Sequence, residues 1–137
     1  MTDDPGPTAD PFFEANEGWG ADALAGTSWV LTALDEGPIA LERRPTIAFG
    51  EEGMIAGRAG CNRYRAQAII GDGTLSIGPL ALTRMLCPAP VMALETTFVA
   101  GLERANTWRR DGQRLELSGE EGLVRLVFLL AAEGDLA

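Results

Sequence analysis

From residue 27 onward the apolar positions fall in short runs broken by Gly, Pro and Asp clusters, the pattern of strands joined by turns. TSWVLTAL (residues 27–34) is rich in β-forming side chains and stops at the turn cluster DEGP. PTIAF (45–49) alternates, with Ile47 and Phe49 on one face, before the loop GEEG. MIAGRAG puts Ile55, Gly57, Ala59 and Cys61 on one face and Met54, Ala56, Arg58 and Gly60 on the other; its small residues predict a bend or the close approach of a neighbour. RYRAQAII (63–70) and TLSIG (74–78) flank GDG, a hairpin turn. In TWRRDGQRLELS, a two-residue turn at Asp111 and Gly112 pairs Arg110 with Gln113, Arg109 with Arg114 and Trp108 with Leu115. Trp108, Leu115 and Leu117 then share one face, while Arg109, Arg114 and Glu116 take the other, in water.

One segment changes period. In APVMALETTFVAGLERA, Val91, Leu94, Phe98, Leu102 and Ala105 recur at helical spacing, which predicts a single helix over about residues 90–105 with Pro90 in its first turn and Glu95 flanking the apolar stripe. Gly101 weakens the helix interior, so close packing is its expected reason. In the last strand, LVRLVFLL, Val124, Leu126, Phe128 and Leu130 share a face while Val127 and Leu129 continue the other, so its second half is expected to be covered on both sides. Together these elements predict an α+β fold, mainly antiparallel β: a curled sheet or partly open β-barrel packed with one helix. If the chain holds an apolar cavity, it is expected beneath that helix.

Composition then removes mechanisms. The chain has no His and no Lys, all of its basic residues being Arg. Within one chain this excludes a Ser-His-Asp or Cys-His arrangement, a Schiff-base lysine, a Walker A lysine and His-ligated zinc. Arg stays protonated and cannot replace them as a base near neutral pH. The net charge of −9 is uneven: residues 1–22 carry six acids and no base. Residues 1–25, rich in Pro, Gly and acids, therefore read as a mostly disordered leader, followed by one domain over 26–132 and a short tail over 133–137. Phe12, Phe13 and Trp19 give that leader the means to dock on a domain, its own or a neighbour's. It has neither the basic start nor the apolar centre of a signal peptide, and no apolar run approaches the roughly 20 residues of a membrane-spanning helix. Nucleic acid is excluded as a partner by the lack of a net basic character.

The order of AGCNRY, GTLSIGPLALTRMLC and MALETTFVAGL resembles the META domain, or HslJ-like, family, whose pattern runs G-C-N-x-Y, then a strand ending in T-R/K-M-x-C, then a helix containing E-x-x-F. SWVL, PTIAF, RLELS and LVRLVF extend the likeness over about residues 26–131. The resemblance implies a small antiparallel β-structure with a single helix, no established catalytic reaction, loose links to stress tolerance, and export or lipid anchoring in the cell envelope. Against export stands a cytoplasmic reading, since this chain carries no signal peptide; a lipid anchor requires an upstream lipobox.

The resemblance also implies a disulfide between Cys61 and Cys87. Read without the family, an even count of two permits one connectivity, and closing a loop of this length stabilises by about 3.5 kcal/mol in the chain-entropy model. Two buried thiols or a reactive cysteine remain the alternatives. Asn62, Arg63, Tyr64 and Arg84 form the candidate interaction surface, and Arg84 with Glu95 a candidate structural ion pair. No residue pattern selects catalytic, cofactor-binding or metal-binding groups: the acids offer no particular couple for glycoside hydrolysis, and Asp72 and Asp111 sit in Asp-Gly turns rather than a calcium loop. The expected protein is a non-enzymatic monomer binding a protein, peptide or apolar small molecule. An apolar-ligand carrier and a carboxylate- or thiol-dependent enzyme are the alternatives.

Overall fold

The computed structural model describes residues 23–34, 37–38, 44–119 and 125–131; the leader up to residue 22 and the tail from 132 lie outside the described residues. Ten described strands form one antiparallel sheet. In chain order they are β1 (Ser28–Leu34), β2 (Gly37–Pro38), β3 (Thr46–Phe49), β4 (Met54–Arg58), β5 (Arg63–Ile70), β6 (Leu75–Ile77) and β7 (Ala81–Leu82). The helix α1 (Ala89–Arg104) follows, then β8 (Thr107–Asp111), β9 (Arg114–Ser118) and β10 (Arg125–Leu130). The main path runs β6-β5-β4-β3-β1-β10-β9-β8, with β2 beside β1 and β7 beside β5.

The two ends of that path meet. Thr74 bridges Thr107, the Leu75 amide donates to the Asn106 carbonyl at 3.1 Å, and the Trp108 amide donates to the Gly73 carbonyl at 3.0 Å. The result is a nearly closed barrel. A register shift between Val127 and Phe128, where β10 faces β1, supplies the local bend that lets a sheet curl.

Strand alternation decides what enters the barrel. Along β5, Tyr64, Ala66 and Ala68 point inward and are buried, whereas Arg63, Arg65, Gln67 and Ile69 point outward and are exposed. Trp29, Leu31, Ile47, Phe49, Ile55, Leu115, Leu117, Leu126 and Phe128 fill the interior from the other strands. The helix closes one side of it with Phe98 and Leu102, both fully buried. Leu24 is also fully buried, so the packed unit begins earlier than the boundary at residue 26 expected from composition.

Two strand expectations need correction. In the β8-β9 hairpin the predicted faces hold, but each partner lies two residues further along: Arg110 pairs with Leu115, Arg109 with Glu116 and Trp108 with Leu117. The turn is centred on Gly112, whose φ of +64° suits the first central position of a primed turn. Arg110 is held on the inward side because its Nη1 donates to the Ala23 carbonyl at 2.6 Å and its guanidinium lies over Trp29 at 5.1 Å from the ring centroid. In β10 the outward Leu129 is 48% exposed, so the second half of that strand is not covered on both sides by described residues.

Candidate functional site

The chain turns between β4 and β5 at AGCNRY. The Ala59 amide donates to the Asn62 carbonyl at 2.7 Å, closing a tight corner, and Gly60 adopts φ of +133° within it. A β-carbon at Gly60 would lie 3.3 Å from Cβ of Glu95 and 3.4 Å from the Val91 carbonyl oxygen. Glycine thus lets the helix approach the corner directly.

Asn62 is 2% exposed and commits its whole side-chain hydrogen-bonding capacity to two segments, the helix and the loop before it. Its Nδ2 donates to Glu95 Oε2 at 2.9 Å and to the Met85 carbonyl at 3.2 Å. Its Oδ1 accepts from the Thr83 hydroxyl at 2.9 Å and from the Met85 amide at 2.6 Å. Glu95 Oε1 in turn accepts the Asn62 amide at 2.7 Å and the Cys61 amide at 3.1 Å. The Cys61–Cys87 disulfide, with its Cα atoms 6.2 Å apart, closes the same bracket. The corner, the loop before the helix and the helix are therefore locked together by one amide, one carboxylate and one disulfide.

Glu95 sits at the middle of the helix's buried face, between Val91 and Phe98, instead of flanking it. Burial raises its pKa, but the Asn62 side chain and the Asn62 and Cys61 amides outweigh that effect, and the net shift is downward. It is held as a carboxylate, a hydrogen-bond acceptor with no proton to give. Tyr64, also buried, donates its hydroxyl to the Thr46 carbonyl at 2.7 Å, and burial pushes its pKa well above the ordinary value. Beneath the helix, Phe98 meets Tyr64 and Phe128 edge-on at centroid separations of 5.9 and 6.3 Å.

The residues singled out from sequence thus separate into two groups. Cys61 and Cys87 pair as the resemblance implies. Asn62 and Tyr64 do not belong to a surface: both are buried, because the corner turns Asn62 toward the helix and alternation turns Tyr64 into the barrel. Arg63 and Arg84 are exposed. Glu95 makes no ion pair with Arg84, since amides of the corner already surround its carboxylate. Sequence reasoning missed the neighbouring pair Met85 and Leu86, which are 54% and 93% exposed. Their signal was available: two large apolar residues between Arg84 and Cys87, outside any strand or helix period. Among the described residues, no group of three or more Cys, Asp or Glu side chains is arranged to hold a metal ion.

Comparison with known proteins gives this bracket a context. The chain is 36% identical over 63 residues to Heat shock protein HslJ of Escherichia coli (strain K12), a stretch covering 45% of this chain. It spans 44% of that relative's length. A solution structure of a protein from Burkholderia xenovorans superposes with a TM-score of 0.69 at 27% identity, covering 97% of each chain. A DUF4847 family protein from Bacteroides vulgatus shares the fold at a TM-score of 0.61 and 14% identity, over 79% of this chain and 94% of its own. The META domain as a family pattern matches residues 22–133, and with the bracket of Cys61, Asn62, Cys87 and Glu95 in place the chain belongs to the META domain family.

Proposed function

We propose that this META domain is a non-enzymatic binding protein of an oxidising compartment, the cell envelope or the exterior, that contributes to stress tolerance and engages its partner through the loop 83–87. The observation that carries the reading is the contrast between that loop's side chains and its backbone. Met85 and Leu86 stand in solvent, yet the Met85 amide and carbonyl are both held by Asn62 and the loop ends in a disulfide. An apolar contact presented on a prefixed backbone binds without the ordering entropy that a free loop loses. The disulfide supports the compartment, because reducing cytosols keep thiols apart. The name of the Escherichia coli relative, a heat shock protein, supports the stress role.

The test replaces Met85 and Leu86 by Ser in the full chain and measures heat survival of cells that lack the wild-type copy. Protection should be lost while the melting temperature stays within about a degree, as expected for exposed positions. Full protection by the double variant would sink the loop as the binding surface. Thiol alkylation with and without reductant, on fractionated cells, tests the compartment: free labelling of both cysteines in unreduced protein contradicts it.

A further inference from the structure

The face of the sheet beside the loop 83–87 is basic. Alternation turns Arg63 and Arg65 of β5 outward, and both are exposed. Arg84, next to Met85 in the chain, is exposed as well. The loop is fastened to that face at Thr83, whose amide donates to the Arg63 carbonyl at 3.0 Å and whose hydroxyl accepts the Arg63 amide at 3.0 Å. From the loop down β5 the order is therefore Met85 and Leu86, then Arg63, then Arg65.

Acids are missing from this face. The β4 residues paired with Gln67, Arg65 and Arg63 are Met54, Ala56 and Arg58, and the β7 residue paired with Arg65 is Ala81. Glu51 and Glu52 precede Met54 and so flank the end of the face away from Arg63. Arg58 is engaged, its Nη2 donating to the Arg44 carbonyl at 3.1 Å, and takes no part. Among the described residues Arg63, Arg65 and Arg84 have no ion-pair partner, in contrast to Arg114 and Arg125, which share Glu116. A chain of net charge −9 thus keeps three arginines without acids beside its exposed apolar pair.

We propose that the loop's partner is a protein segment bringing carboxylates together with an apolar side chain, the apolar part meeting Met85 and Leu86 and the acids pairing with Arg63, Arg65 and Arg84. This rests on the reading of loop 83–87 as the docking surface and adds the chemistry of what docks there. Arg63 and Arg65 are two residues apart on one strand face, a rise of about 6.6–6.8 Å, which is also the spacing of alternate side chains in an extended segment. An extended partner with acids at alternate positions presents one carboxylate to each guanidinium, in the paired N–H···O contact that suits the two groups. A bilayer of anionic lipid is the poorer occupant. It reaches far beyond the roughly 8 Å Debye length around the three arginines and meets the rest of a chain of net charge −9, whereas a short segment meets only the patch.

The experiment titrates the isotopically labelled full chain, its disulfide intact, with the blocked hexapeptide Phe-Leu-Ser-Glu-Ser-Glu and, for the opposite direction of docking, with its reverse, each to millimolar concentration. Amide signals of Arg63, Arg65 and residues 84–86 should shift together, and replacing both peptide Glu residues by Gln should weaken binding at least about tenfold. R63Q/R65Q should abolish the difference between the Glu and Gln peptides, which a mere loss of contact area would not do. M85S/L86S should weaken both peptides alike. Absent shifts with both directions, shifts elsewhere on the barrel, or equal binding of the Glu and Gln peptides overturn the proposal. So does co-sedimentation with vesicles of equimolar phosphatidylcholine and phosphatidylglycerol that R63Q/R65Q abolishes, which would make the face a membrane site. No cell enters these measurements, so a null titration beside lost heat protection in M85S/L86S strikes the carboxylate partner and leaves the loop reading standing.

Discussion

Replacing Glu95 by Gln changes one oxygen to an NH2 group and leaves volume and shape almost unchanged, so it isolates the electrostatics of the bracket. The substituted side chain can still accept the Cys61 and Asn62 amides on its remaining oxygen, at the positions now 3.1 and 2.7 Å away. Its new NH2 group, however, faces Asn62 Nδ2 across a separation that is 2.9 Å in the native protein. Flipping Asn62 does not help, because its Oδ1 is needed by Thr83 and the Met85 amide. The variant loses one charge-assisted bond and gains a donor facing a donor, which costs about 2–4 kcal/mol at pH 7. That is roughly 8–16 °C in melting temperature for a domain of this size. The native pKa of Glu95 is depressed, so its contribution is complete above the unfolded value of about 4.3 and is lost as pH falls through the folded value. Urea unfolding should therefore show the gap between wild type and E95Q narrowing from pH 7 toward pH 3. Asn62→Asp combined with E95Q reverses the donor and acceptor across the same contact, and the double variant should exceed additivity by at least about 1.5 kcal/mol. A coupling below about 0.5 kcal/mol, or an E95Q curve superposing on wild type at pH 7, would refute the bracket as an energetic unit.

Reducing the Cys61–Cys87 bond, or replacing both residues by Ala, should lower stability by about 3.5 kcal/mol in chemical denaturation, with the far-ultraviolet circular dichroism retained at low denaturant. Gly60→Ala should cost about 1–3 kcal/mol, because alanine must adopt a φ of +133° against Glu95 and Val91; an unchanged unfolding midpoint would contradict the close approach of the helix. Tyr64→Phe strands the buried Thr46 carbonyl and should cost about 1–2 kcal/mol by the same assay, without altering the fluorescence of the folded state.

The regular part of this fold was legible because it is written in periods. The alternation of RYRAQAII fixes which side of β5 faces the barrel, and the helical spacing from Val91 to Leu102 fixes the lid. Applied consistently, the same alternation places Tyr64 with Ala66 and Ala68 on the buried face and not in a surface patch with Arg63. Asn62 and Glu95 are different. Their burial depends on three segments, around residues 61, 85 and 95, arriving at one point, and no local pattern encodes how many partners a polar side chain will find. The β8-β9 register differs for a local reason: the two central turn residues are Gly112, at φ of +64°, and Gln113, instead of Asp111 and Gly112.

The barrel's seam has a mechanical consequence. Along most of the wall, neighbouring strands share ladders of several paired residues, as between β4 and β5 or β9 and β10. Where residues 73–75 meet 106–108, the described join is one bridge, made by two backbone hydrogen bonds, with one side-chain bond from Trp108 Nε1 to the Gly71 carbonyl beside it. A wall of this kind parts like a cuff at its fastening, while the remainder stays folded. Amide exchange under native conditions should be fastest at that fastening. On heating, the two freed rims, β6 and β8, each offer a row of unpaired amides and carbonyls to another opened chain. Clumping of this protein would then start from molecules that are almost native, and a short crosslink across residues 74 and 107 should delay it without touching the core.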